Sequence, residues 1–102
     1  MKYQFVLQFE ATDIVDFDDL VALEEMLIAG LSGKSHVDGH DFGQGEFNIF
    51  IFTDAPKRTL EEVQKILEDH SLPSRFKAAY REVGSEAYIG LWPSPLKGFT
   101  IA

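Results

Sequence analysis

Side chains able to do chemistry converge in one stretch of this sequence, Ser35-His36-Val37-Asp38-Gly39-His40-Asp41-Phe42-Gly43-Gln44-Gly45-Glu46-Phe47-Asn48. If the backbone over 36–42 is extended, His36, Asp38 and His40 share one face at every second position. Two imidazoles and a carboxylate are ligand types that hold a zinc or iron-type ion. Ligands two residues apart on a strand, however, are about 7 Å from each other, which strains shared coordination unless the strand bends at Gly39. The plainer reading is of solvent-facing residues on an edge strand, where charge discourages aggregation. That reading is preferred, and no metal or cofactor is called for.

The same segment also reads as a small polar pocket at a hairpin. Depending on the number of loop residues, His40 pairs opposite Asn48 or near Ile49. In the first case Asp38, His40, Glu46 and Asn48 share a face, and Arg81 can approach from a neighbouring strand. A histidine beside carboxylates such as Asp38, Asp41 or Glu46 has its charged form favoured and can serve as an acid or base near neutral pH. The plainer alternative is a set of hydrogen bonds that holds the hairpin register, and it is again preferred.

Other candidates carry less. Gly43-Gln44-Gly45 is too short for a dinucleotide fingerprint and precedes a strand, whereas that fingerprint opens a helix. The serines lie in no nucleophile-elbow context. Glu61-Glu62 and Glu68-Asp69 read as a solvated helix face, and Trp92 before Pro93 as an anchor at the edge of the core.

The elements that must position these residues follow from hydrophobic period. Over residues 3–9, Tyr3, Phe5, Leu7 and Phe9 alternate with Gln4, Val6 and Gln8, the pattern of a half-buried strand. Residues 13–33 change to helical spacing, with Phe17, Leu20, Leu23, Leu27 and Leu31 in phase, Asp16 as a cap, and Gly30 or Gly33 as the end. Residues 36–42 and 46–53 form the hairpin. Its second arm is apolar on both faces apart from Asn48, so it belongs in the middle of a sheet. Pro56 closes that arm, and Thr59 with Glu62 makes a capping box for a second helix carrying Leu60, Val63, Ile66 and Leu67 inward. Pro73 lies beyond that helix. Residues 76–83 and 87–92 read as a second hairpin, and Pro93, Pro95 and Gly98 make the tail irregular.

This order, βαββαβ with an extra C-terminal strand, makes an α+β domain. Short connections and right-handed crossovers favour a ferredoxin-like antiparallel sheet with two helices on one face. The other face then carries Gln4, Val6, Gln8, Asn48, Phe50 and Phe52, with both phenylalanines exposed. Apolar surface of that extent calls for a cover, either the tail through Phe99 and Ile101 or a second copy of the chain.

Length and charge bound the rest. The 102 residues suit a single domain. Cysteine is absent, so thiol and zinc-thiolate chemistry are unavailable. Lys and Arg number 9 against 17 Asp and Glu, a formal net charge of −8. Phosphate backbones and anionic lipids repel such a surface, which argues against nucleic-acid or membrane-surface roles and leaves a homodimer or a basic protein as partner. The N-terminus lacks a signal-peptide core and no apolar run reaches the roughly 20 residues of a membrane span, so a cytoplasmic location is expected.

The run from Asp38 to Ile51, with Tyr80-Arg81 and Leu91-Trp92-Pro93 downstream, resembles a group of small uncharacterised bacterial proteins. The resemblance implies a compact α+β fold and transfers no activity. In size and acidity the chain is also similar to toxin-neutralising immunity proteins. The function expected is a non-catalytic binding or protein-interaction domain, an immunity-type role being one form of it. The alternatives are a small-molecule sensor, by fold analogy alone, and a small enzyme using His40 with neighbouring carboxylates.

Overall fold

The computed structural model describes residues 2–10, 17–31, 35–43, 45–69 and 76–93. Five strands and two helices follow one another as β1 (Tyr3–Glu10), α1 (Phe17–Gly30), β2 (Ser35–Gly43), β3 (Glu46–Thr53), α2 (Pro56–Asp69), β4 (Phe76–Glu82) and β5 (Ile89–Trp92). The strands form one sheet in the order β2-β3-β1-β4-β5, and every neighbouring pair is antiparallel. The domain is therefore α+β, as the alternation and helical spacing predict. Asp16, Gly33, Pro73, Phe99 and Ile101 lie outside the described residues.

Strand β1 sets the parity of the sheet. Phe5, Leu7 and Phe9 stand opposite Ile51, Ile49 and Phe47 of β3, and opposite Tyr80, Ala78 and Phe76 of β4. Leu23 and Leu27 of α1 and Val63 and Leu67 of α2 join these residues in one buried cluster. Both helices thus cover the same face, and each supplies apolar residues four apart, the spacing that keeps side chains on one side of a helix.

Helix α2 starts earlier than the capping-box reading places it. Pro56 is its first residue, where the missing N–H and fixed φ of proline suit a helix start. Thr59 is then inside the helix. Its Oγ1 lies 3.0 Å from the Ala55 carbonyl and 2.9 Å from Thr53 Oγ1, which in turn accepts from the Ala55 amide at 3.0 Å. Ser35 Oγ completes the group at 3.3 Å from Thr53 Oγ1 and 3.2 Å from Thr59 Oγ1. Three hydroxyls so tie the start of β2, the end of β3 and the first turn of α2, with Thr53 and Thr59 buried.

The face away from the helices is closed to water at its centre. By register it holds cross-strand rows of His36, Phe52, Gln4 and Arg81; of Gly39, Phe50, Val6 and Ala79; and of Asp41, Asn48, Gln8 and Lys77. Phe50 and Phe52 are half-buried, and Val6, Ala79, Gln8 and Asn48 are buried. This burial occurs within a single chain, so the centre of this face is already withdrawn from water without a second copy.

Candidate functional site

The hairpin residues do not assemble as one polar group. The register of β2 against β3 shifts between Val37 and Gly39, so Asp38 is the extra residue of a β-bulge. A bulge reverses the inward and outward alternation of everything after it. The pairing of Gly43 with Glu46 sets His40 opposite Ile49, on the helix side, while the bulge places His36 on the other side, opposite Phe52. Of the two pairings left open by loop length, His40 beside Ile49 is the one found, so Asp38, His40, Glu46 and Asn48 do not share a face, and neither do His36, Asp38 and His40. A glycine inside a strand pattern is the sequence signal for such a bulge.

His40 meets a carboxylate that sequence reasoning did not name. Its Nδ1 lies 2.8 Å from Glu24 Oε2, with the two side chains 27% and 17% exposed. This contact fastens strand β2 to α1 and orients the imidazole. Glu24 is too far along the chain for any local pattern to have paired them.

By register Asp41, Glu46, Asn48 and Arg81 lie on the other side of the sheet. Asp38 and Asp41 are exposed, and Asp41 stands opposite Asn48. Glu46 stands between Gly43 and Glu10, two carboxylates directly across a strand pair, an arrangement that costs stability unless water screens it. Arg81 is at the other end. It lies three strands across and four residues along from Asp41, on the order of 20 Å away. Its Nε donates to Gln4 Oε1 and its Nη1 to the Ser85 carbonyl, both at 2.8 Å, and its guanidinium sits 5.9 Å from the centre of the Tyr88 ring. The guanidinium fork therefore holds the turn after β4 against the sheet.

Asn48 and Gln8 form a buried amide pair in which Gln8 Nε2 donates to Asn48 Oδ1 at 3.0 Å. Asn48 Nδ2 is buried with no acceptor. An unmade hydrogen bond of this kind costs about 1–3 kcal/mol, whereas a made one contributes about 1 kcal/mol. In a double-mutant cycle of Gln8→Leu and Asn48→Leu, we expect a coupling of about 1 kcal/mol by urea denaturation. Strictly additive single changes would show that the two amides do not bond in solution.

A different region presents apolar surface. Ile89 is 53% exposed, Val83 53% and Trp92 38%. Ile89 stands opposite Tyr80, and Trp92 packs on Phe76 with ring centroids 6.4 Å apart, so both belong to the helix side of the β4–β5 flank. Trp92 is thus anchored to the core edge, as its sequence context suggests, yet keeps an accessible side. Tyr80 in turn meets Tyr3 edge to face at 5.6 Å. An open concavity of about 330 Å³, lined by Lys2, Tyr3, Glu82 and Val83, lies at the end of this flank. Comparison with protein-family models, curated proteins and solved structures finds no match to this chain.

Proposed function

We propose that this chain is a non-catalytic protein-interaction domain that meets a basic protein partner along the β4–β5 flank. The observation that carries the reading is the exposure of Ile89 and Trp92 side by side on a terminal strand of the sheet. Large apolar side chains left accessible together are characteristic of contact surfaces, and aromatic residues dominate the energetics of such surfaces. The net charge of −8 supports a basic partner, because long-range attraction raises the rate of encounter with cations and lowers it with anions. The strand order, with β1 and β3 flanked by β2 and β4, supports a ferredoxin-like arrangement extended by β5.

The test is affinity capture from the source cells, with native protein and an Ile89→Asp variant as parallel baits. A basic protein should be retained by the native chain and reduced at least tenfold by the substitution. Retention of the same protein on both baits would remove the flank from the interface. Capture of a small molecule beside His40 and Glu24, with no protein, would overturn the reading.

A further inference from the structure

We infer that the concavity where β1 begins and β4 ends is a binding site for a free α-amino acid with an apolar side chain; the inference does not depend on the interaction reading above. Lys2, Tyr3, Glu82 and Val83 line it. Tyr3 stands opposite Glu82, and the Val83 amide donates to the Lys2 carbonyl at 2.9 Å, which continues the pairing of the two strands by one bond. Both walls are braced by the chain itself. On one side the Lys2 amide donates to Asp54 Oδ1 at 2.9 Å. On the other the Ser85 amide donates to the Glu82 carbonyl at 2.9 Å, Gly84 turns the chain with a φ of 95°, and Arg81 Nη1 donates to the Ser85 carbonyl at 2.8 Å. A concavity held in shape before its ligand arrives loses less freedom on binding.

The chemistry of the ligand follows from the lining. The Lys2 and Glu82 side chains are exposed, and among the described residues neither is in an ion pair. By strand alternation Lys2 shares the Gln4 and Arg81 side of the sheet, whereas Glu82 shares the Tyr3 side, so the two charges flank the concavity from opposite sides. A carboxylate is drawn to the first side and an ammonium to the second. Of the charged residues that line or brace the concavity, two are cations, Lys2 and Arg81, and two are anions, Asp54 and Glu82. That balance, in a chain of net charge −8, favours a zwitterion over a simple anion or cation. The Tyr3 ring, packed edge to face on Tyr80, and Val83, more than half exposed, offer an apolar wall to the ligand's side chain. The volume of about 330 Å³ lies at the small end of the range for ligand sites, about 300–1,000 Å³, and suits a single amino acid rather than a nucleotide.

The probe is leucine, titrated into the intact chain and followed by amide NMR. Exposed ion pairs contribute little each, so millimolar affinity is expected, with shifts centred on residues 2, 3, 82 and 83. Leucinamide, which lacks the carboxylate, and N-acetyl-leucine, which lacks the ammonium, should each bind about fivefold more weakly, the effect of one exposed ion pair. Lys2→Gln should weaken leucine about fivefold and leave leucinamide unchanged, while Glu82→Gln should weaken leucine about fivefold and leave N-acetyl-leucine unchanged. Both residues are exposed, so neither substitution should alter the fold, which the spectra of the free variants verify. Leucinamide or N-acetyl-leucine binding as tightly as leucine would overturn the inference, because the site would then read one charge only. So would shifts centred beside His40 and Glu24, or no shift at tens of millimolar leucine. Equal weakening of leucine and leucinamide by Lys2→Gln would do the same, since Lys2 would then not be acting on the carboxylate.

Discussion

Replacing Phe5 by alanine is expected to lower the free energy of unfolding by about 3–5 kcal/mol, the range for removing a buried aromatic ring and leaving its cavity. Phe5 is fully buried in the central strand, flanked by Ile51 on β3 and Tyr80 on β4, and belongs to the cluster that both helices complete. Its loss therefore removes contacts to several elements at once, and a rigid sheet cannot collapse to fill the space. A domain of this size has a total stability of about 5–15 kcal/mol, so the variant should have a much lower urea midpoint at unchanged slope. A cost under about 1 kcal/mol would mean that the ring is not enclosed between sheet and helices.

Val6→Asp is expected to be at least as damaging, although Val6 is on the face away from the helices. The side chain is fully buried between Phe50 and Ala79. Substitution forfeits about 1.5–3 kcal/mol of apolar burial and leaves a carboxylate without a partner in a dry site, a further cost of about 3–5 kcal/mol. The sum approaches the whole stability of a small domain, and the variant should be largely unfolded by circular dichroism at neutral pH. Lowering the pH toward 4 should recover part of the loss, because a neutral carboxyl is cheaper to bury than a carboxylate. A native spectrum with an unaltered urea midpoint would show that this face is open to water in solution. The comparison with Phe5→Ala then separates a sheet with one closed face from a sheet with two.

How much of this was legible beforehand depends on the range of the interaction. The alternation of Tyr3, Phe5, Leu7 and Phe9 and the four-residue spacing of Leu23 with Leu27 and Val63 with Leu67 are local patterns. They name the face each element buries before any partner is known. The α+β order, the central place of β3 and the helix-bearing face are all consequences of such patterns. The start of α2 was displaced because Thr59, read as a cap, uses its hydroxyl on Thr53 and Ala55, while Pro56 begins the helix without needing a hydrogen bond.

The candidate site was less legible, because it depends on parity and on contacts distant in sequence. The hairpin register pairs His40 with Ile49 rather than Asn48 and so turns it toward Glu24, while one additional residue at Asp38 puts His36 on the opposite face. No local count of alternating positions survives such an insertion. Arg81 was named for the wrong neighbours, since its distance from Asp41 is set by strand order, which short-range pattern constrains only loosely. The sequence by itself determined which residues are apolar in which period, and hence the elements and their inward faces. The tertiary structure alone decided which polar groups meet, that the second face of the sheet is closed at its centre, and that Ile89 and Trp92 are left exposed. The physical reason is that periodicity is a property of one segment, whereas burial and hydrogen bonding are properties of pairs of segments brought together by the whole fold.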